Sequence, residues 1–281
     1  MACAVIERLV HPGPVAAQRS RALPCAATPL EVTLPAGVPL LDAVAGATGG
    51  RAAWLELTGA PMARLDHLRP GPDPTGDHAA WYDGPHGADG AVMTRLGLHL
   101  GRRAGQPWLH GHGWWTAPDG MVQGGHVVPG DTALAEPVRA RGWSLTGAAL
   151  EVSPDPETRF DLFQPVATTP PGQADALLLT LRPNQDMTRA IEQVASAHGI
   201  RSGTVHGLGS LVAPRFADAR CADGGDKSFA TEILITEGRI TGGRAALSAM
   251  VVGFGGQIAV AALERGGCGV CVTCELLLRR G

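Results

Sequence analysis

The sequence predicts an α+β protein made of two homologous units, each a mostly antiparallel sheet covered by one helix. Three observations predict it. Each half reads as a strand, a helix and then a run of strands separated by glycine-rich turns. Five landmarks recur in the same order in both halves. The composition is that of a folded chain: 281 residues, 44% hydrophobic and 17% charged, enough for one large domain or two of about 100–150 residues. The 39 glycines and 22 prolines follow no period, which fits many tight turns.

In the first half, Leu30-Glu-Val-Thr-Leu-Pro reads as a strand, Val38-Pro-Leu-Leu-Asp-Ala-Val-Ala as a short helix, and Trp54-Leu-Glu-Leu-Thr-Gly-Ala as a strand. A Pro-, Gly-, Asp- and His-rich insertion, Arg69 to Gly90, has the length of a functional or mobile loop, and its neighbourhood holds His67, His78 and His86, which read as solvent-exposed. In the second half, Ala176-Leu-Leu-Leu-Thr-Leu is a strand. Met187, Ile191, Val194 and Ala195 then recur at helical spacing, with Asp186 as N-cap and Gly199 as C′ residue. Ser202 to Leu211 is the next strand.

The landmarks are these. Gly59-Ala60 aligns with Gly209-Ser210, and Arg95 to Arg102 with Glu232 to Arg239. Trp108-Leu-His-Gly-His aligns with Ala246-Leu-Ser-Ala-Met, Gly124-Gly125-His126 with Gly255-Gly256-Gln257, and Ala135-Glu136 with Cys274-Glu275. Pro165, Pro170, Pro171 and Gly172 suggest a linker, dividing the chain into domains over 1–165 and 173–281.

The formal charge of −3 lacks the basic surplus of a dedicated nucleic-acid binder. Lys227 is the only lysine among 23 basic residues, so Schiff-base chemistry is discounted and single arginines carry less weight. Cys268, Cys271 and Cys274 are spaced like ligands, yet they lie in a β-branched run where residues three apart point to opposite faces. They read as reduced structural thiols. Met1 to Pro12 lacks a secretory pattern, and a cytoplasmic location is expected. Ala245 to Leu263 is uncharged over a span's length, but its central glycines favour strand, turn and strand, so no membrane association is expected.

The chemistry concentrates in three histidines. His110-Gly-His112 has i, i+2 spacing on a strand, so both imidazoles leave one face. The turn Ala117-Pro-Asp-Gly120 returns the chain to Gln123-Gly-Gly-His126, which sets His126 beside them. Gly124 and Gly125 allow close backbone approach. Three neutral imidazoles with an open fourth position suit a divalent ion, foremost Zn²⁺. Ser248, Met250 and Gln257, the aligned residues of the second half, cannot reproduce the site.

At this point the residues resemble a family. Gly199-Ile-Arg-Ser-Gly-Thr-Val-His-Gly-Leu-Gly-Ser, Glu232-Ile-Leu-Ile-Thr-Glu-Gly, His110-Gly-His112 and Gly-Gly-His126 look like the PPC (plant and prokaryote conserved) domain. The resemblance covers two tandem copies, about Leu30–Pro165 and Ala174–Leu278, with Arg95 standing where the family's usual Glu would be and Glu232 keeping that acid. It implies a curved, largely antiparallel sheet, trimeric assembly of domains and, in bacterial members, a three-histidine metal site. The Arg-Gly-Arg-Pro core of the AT-hook that plant members carry does not occur here.

Two function classes follow. The first is a metal-dependent hydro-lyase or hydrolase acting on a small carboxylate-bearing metabolite. Glu136 would be general base or partner of a ligand histidine, Arg95, Arg102 and Arg103 would hold the anion, and His206 would reach in from the second half. The expected partners are that anionic metabolite and further copies of the chain in a trimer, with the acidic balance counting against DNA. The alternative is a metal-containing binding or regulatory module with DNA or protein as partner.

Overall fold

The structure is a computed structural model and describes residues 6, 8–218 and 230–281. Lys227, Cys3 and Cys221 lie outside the described residues. The architecture is α+β: two helices against a mostly antiparallel set of strands.

The first half runs β1 (Ser20–Leu34), α1 (Leu40–Thr48), β2 (Ala53–Arg64), β3 (Asp66–Gly71), β4 (Trp81–Gly87), β5 (Val92–Arg103), β6 (Gln106–Thr116), β7 (Val122–Val127), β8 (Ala133–Leu134) and β9 (Val138–Thr146). The pair β10 (Ala148–Pro154) and β11 (Asp161–Ala167) follows. The second half runs β12 (Ala176–Leu181), α2 (Met187–Ala197), β13 (Gly203–Val212), β14 (Ala230–Thr241), β15 (Arg244–Val252), β16 (Ile258–Ala262) and β17 (Gly269–Arg280).

Neighbouring strands in the first sheet are β1, β9, β2, β5, β6 and β7, all antiparallel. In the second they are β12, β17, β13, β14, β15 and β16, also antiparallel. Both halves thus wind their strands in the same order. Strand β1 joins them: Ser20 to Cys25 pair with β12, and Ala26 to Leu34 pair with β9. Pro165 is not in a loop but within β11, opposite Leu150.

Register corrects three of the aligned landmarks. His112 pairs with Gly97 as Met250 pairs with Leu234, so Met250 does stand in the place of His112. His126 pairs with His112, but it is Val260 that pairs with Met250. Gln257 precedes that strand, after the Phe254–Gly256 turn. Glu56 pairs with Gly97 and Arg141, and Leu208 with Leu234 and Glu275. Arg141, not Glu136, is therefore the counterpart of Glu275, and Leu57, next to Glu56, rather than Gly59, matches Gly209. The turns between these strands differ in length, so glycines that align along the sequence fall on different rungs.

Helix α2 begins where Asp186 accepts from the Arg189 amide and ends before Gly199 at φ +67, as its caps predict. Its apolar stripe, Met187, Ile191, Val194 and Ala195, is buried against Leu179, Ile233 and Leu247. A further core lies between the sheets, where Trp54, Leu145 and Phe163 meet Leu178, Leu234 and Met250. Gly97 makes this approach possible, because a Cβ there would overlap Leu234 and the Trp54 ring.

Cys268, Cys271 and Cys274 are buried and free, the last two on β17, and burial pushes the Cys268 thiol up to about 12. The Ala245–Leu263 run is strand, turn and strand, and no helix among the described residues is long and apolar enough to cross a membrane. The insertion is not a bare loop. Its β3–β4 hairpin extends the first sheet beyond β7, pairing Leu68 with His126. This buries His67, which is 2% exposed and packs edge-on to Trp115 at 4.6 Å, contrary to the expected exposure. His78 is tucked beside Trp81 and Phe160.

Candidate metal centre

The three histidines meet as their spacing predicts. His110 and His112 leave one face of β6, and His126 lies on β7 directly opposite His112. One nitrogen from each ring falls within 4.8 Å of the others. The rings lie 4.7, 4.8 and 5.3 Å apart, centre to centre. Gly125 secures the neighbouring strand: a Cβ there would collide with the Leu68 carbonyl of β3.

The surroundings set the chemistry of each ring. Burial, reinforced by His112, holds the His110 imidazole down to about 3. Burial likewise holds His126 well below the ordinary histidine value, with His110 and His112 adding to the effect. Both are neutral at neutral pH, the form that offers a lone pair to a cation. Burial lowers His112 too, but the Glu232 carboxylate and the Ile233 carbonyl outweigh it and raise the group above its usual value. His112 Nδ1 donates to the Ile233 carbonyl at 2.9 Å, which fixes the ring and turns Nε2 toward His110 Nε2, 3.0 Å away. Nitrogens facing one another this closely, with the outer nitrogen of one already bonded, are what a bound cation requires. The cluster could hold a divalent metal ion.

Two acids complete the setting, and both come from the second half. Glu232 Oε2 is 2.9 Å from His112 Nε2, and Glu275 Oε2 is 2.6 Å from His110 Nδ1. The latter is a close contact without the alignment of a good hydrogen bond. Glu232 is 3% exposed and Glu275 1%. Burial pushes the Glu275 carboxyl up to about 7, with His99 and His112 opposing. Strands of both halves therefore furnish one site. Sequence reasoning missed the meeting of these acids with the histidines. The available signal was a lone acid in an apolar strand, Glu232 before Ile-Leu-Ile and Glu275 before Leu-Leu-Leu, where burial demands a partner.

The site opens into a cavity of about 300 Å³. Its walls are apolar, and the β3–β4 insertion supplies Leu68, Trp81 and Tyr82.

The other site residues read from the sequence lie elsewhere. Glu136 is exposed in a groove with Arg139 and Arg141. Arg95 donates to Glu56 at 2.5 and 2.9 Å and to the Thr236 carbonyl at 2.9 Å. His206 packs against Trp143 in a tilted arrangement at 4.4 Å and faces Glu56 at 3.5 Å. Burial raises the Glu56 carboxyl, but His206 and Arg95 outweigh it and hold the group below its usual value. These side chains form a structural ion cluster outside the cavity lining. Arg102 is exposed at the β5–β6 turn. Arg103 pairs with Asp161 at 2.6 Å and lies over Trp108 at 5.0 Å, at the cavity rim.

No family model and no curated protein matches the chain. Solved structures do. A plant- and prokaryote-conserved (PPC) protein of Pyrococcus horikoshii is similar over 54% of this chain and 97% of its own, at 17% identity and a TM-score of 0.37. A metal-containing protein of Archaeoglobus fulgidus covers the same shares at 16% identity and 0.32. A Ralstonia eutropha protein provisionally named DNA-binding covers 48% of this chain and 89% of its own, at 16% identity and 0.38.

Two expectations are corrected. The reading as a hydro-lyase or hydrolase does not stand, because Glu136, Arg95 and His206, which were to move the proton and hold the substrate, are outside the histidine cavity. The partner reading, a small anionic metabolite and a trimer with DNA unlikely, is likewise withdrawn, since none of Arg95, Arg102 and Arg103, which were to hold the anion, lines the cavity. The PPC resemblance of the sequence is met by a PPC protein among the solved structures, and each of these neighbours spans about half of this chain.

Proposed function

We propose that the chain is a metal-containing binding module, with His110, His112 and His126 holding one zinc ion at the floor of the cavity. The observation that carries this is the convergence of three buried imidazole nitrogens within 4.8 Å, two of them on neutral rings. Zinc accepts three imidazoles readily and leaves a position for a further ligand. Glu275 sits at Nδ1 of His110, the ring's outer nitrogen, whereas Glu232 sits at His112 Nε2, the nitrogen turned toward the ion, and both acids offset the ion's charge. Domains over 1–165 and 173–281 are part of this reading, the first bearing the ligands and the second supplying both acids.

The test is equilibrium dialysis of the full chain against zinc and cobalt, with His110→Ala/His112→Ala beside it. The reading requires stoichiometric uptake that the double variant loses. A duplex titration at low salt accompanies it. If DNA is the partner, affinity falls steeply as salt rises, and an absence of binding at low salt removes DNA from the reading.

A further inference from the structure

We propose that a second cleft between the sheets, which shares no lining residue with the histidine cavity, binds the pyranose ring of a neutral sugar. The proposal does not rest on the metal reading.

The cleft holds about 450 Å³, the scale of a small-ligand site. It is the counterpart of the histidine cavity in the other half. Ser248 precedes Met250 on β15 as His110 precedes His112 on β6, and Val260 takes the place of His126. Thr58 pairs with Arg95 as Ser210 pairs with Glu232. The exchange leaves no imidazole for a metal and puts hydroxyls in its place. Two β-bulges open onto the cleft, with Thr94 the extra residue of β5 and Thr236 that of β14. Bulges re-aim side chains and gather beside binding sites.

The lining matches the two faces of a sugar. Trp114 is half-buried in the cleft wall, and an indole there packs against the apolar C–H face of a pyranose. The hydroxyls of Thr58, Thr94, Thr236 and Ser248 both donate and accept, as sugar hydroxyls do. Among the described residues, no other protein group hydrogen-bonds to any of them. Glu237 stands exposed at the rim without an ion pair among the described residues, and its carboxylate can accept from neighbouring hydroxyls of a guest. Arg95 donates to Glu56 at 2.5 and 2.9 Å and to the Thr236 carbonyl at 2.9 Å, which fixes its planar guanidinium in the wall. Glu56 already balances that charge, so the lining favours a neutral guest over an anion.

The experiment is saturation-transfer NMR with calorimetry on the metal-free full chain, so it stands whatever becomes of the zinc reading. The probes are glucose, galactose and mannose, their methyl glycosides, and glycerol. At least one pyranose should bind with its ring protons saturated, and glycerol, which has hydroxyls but no ring face, should bind at least about tenfold more weakly. A free sugar that binds while its methyl glycoside does not supports a soluble sugar as the source, and a glycoside that binds equally well supports the end of a glycan. Trp114→Ala should weaken the pyranose by about tenfold. Thr236→Val/Ser248→Ala, which keeps the indole, should weaken it by about threefold or more. Circular dichroism checks each variant's fold, and the hydroxyl variant decides if Trp114→Ala does not fold. No pyranose bound by the folded parent, glycerol bound as tightly as the pyranoses, or full affinity in the hydroxyl variant would overturn the proposal.

Discussion

Glu275→Gln probes the joint between the halves most sharply. The substitution keeps the side chain's shape and removes the ionisable carboxyl that lies 2.6 Å from His110 Nδ1 and is 1% exposed. Removing the buried partner of a ligand histidine weakens metal binding by about 10- to 100-fold, or about 1.4–2.7 kcal/mol. Competition with a chromophoric chelator reads the affinity, and circular dichroism checks that the fold is retained. Glu31→Gln is the control, because Glu31 meets Arg141 at 2.7 Å on the exposed face and such pairs contribute little. Zinc affinity within about twofold of the parent for Glu275→Gln, in a folded protein, would refute the coupling between Glu275 and the ligand histidine.

Gly125→Ala should destabilise the protein by about 1–3 kcal/mol and reduce metal uptake, since the new methyl would push β3 from β7; denaturant midpoints read the first effect and dialysis the second. Arg95→Ala should lower stability by about 1 kcal/mol, since Glu56 loses its guanidinium but keeps the Trp54 indole N–H and His206, and it should leave metal content unchanged, because neither residue lines the cavity. The metal-free protein should lose stability on acidification from pH 6.5 to 4. Burial holds His67 and His99 down to about 4, so in that window the unfolded chain binds the protons and the folded chain does not. Each contributes about 3 kcal/mol above pH 6.5 that is lost as pH falls through the folded value. A flat unfolding free energy across that range would contradict it.

Much of the fold was legible because its signals are local. The α2 stripe and caps, the strand reading of Cys268 to Cys274 and the returning Gly-Gly-His126 each depend on residues close in sequence. Rung-by-rung register was not legible, because turns of unequal length shift it: Gln257 reads as the partner of His126, yet Val260 holds that place. The acids were missed for a related reason. Glu232 and Glu275 reach the histidines only through packing of one sheet on the other, which no repeat period encodes. Glu136 has the spacing of a partner for His126, but it falls on the exposed lead-in to β9.

The central claim is one metal ion held jointly by three histidines of one half. Its most direct test is metal content per chain, by elemental analysis after zinc loading and desalting, for the parent and for His110→Ala, His112→Ala and His126→Ala. The account predicts about one zinc per parent chain, given three imidazoles and one open position, and a large loss in every variant. Equal metal in parent and variants, or none in a folded parent, would contradict it.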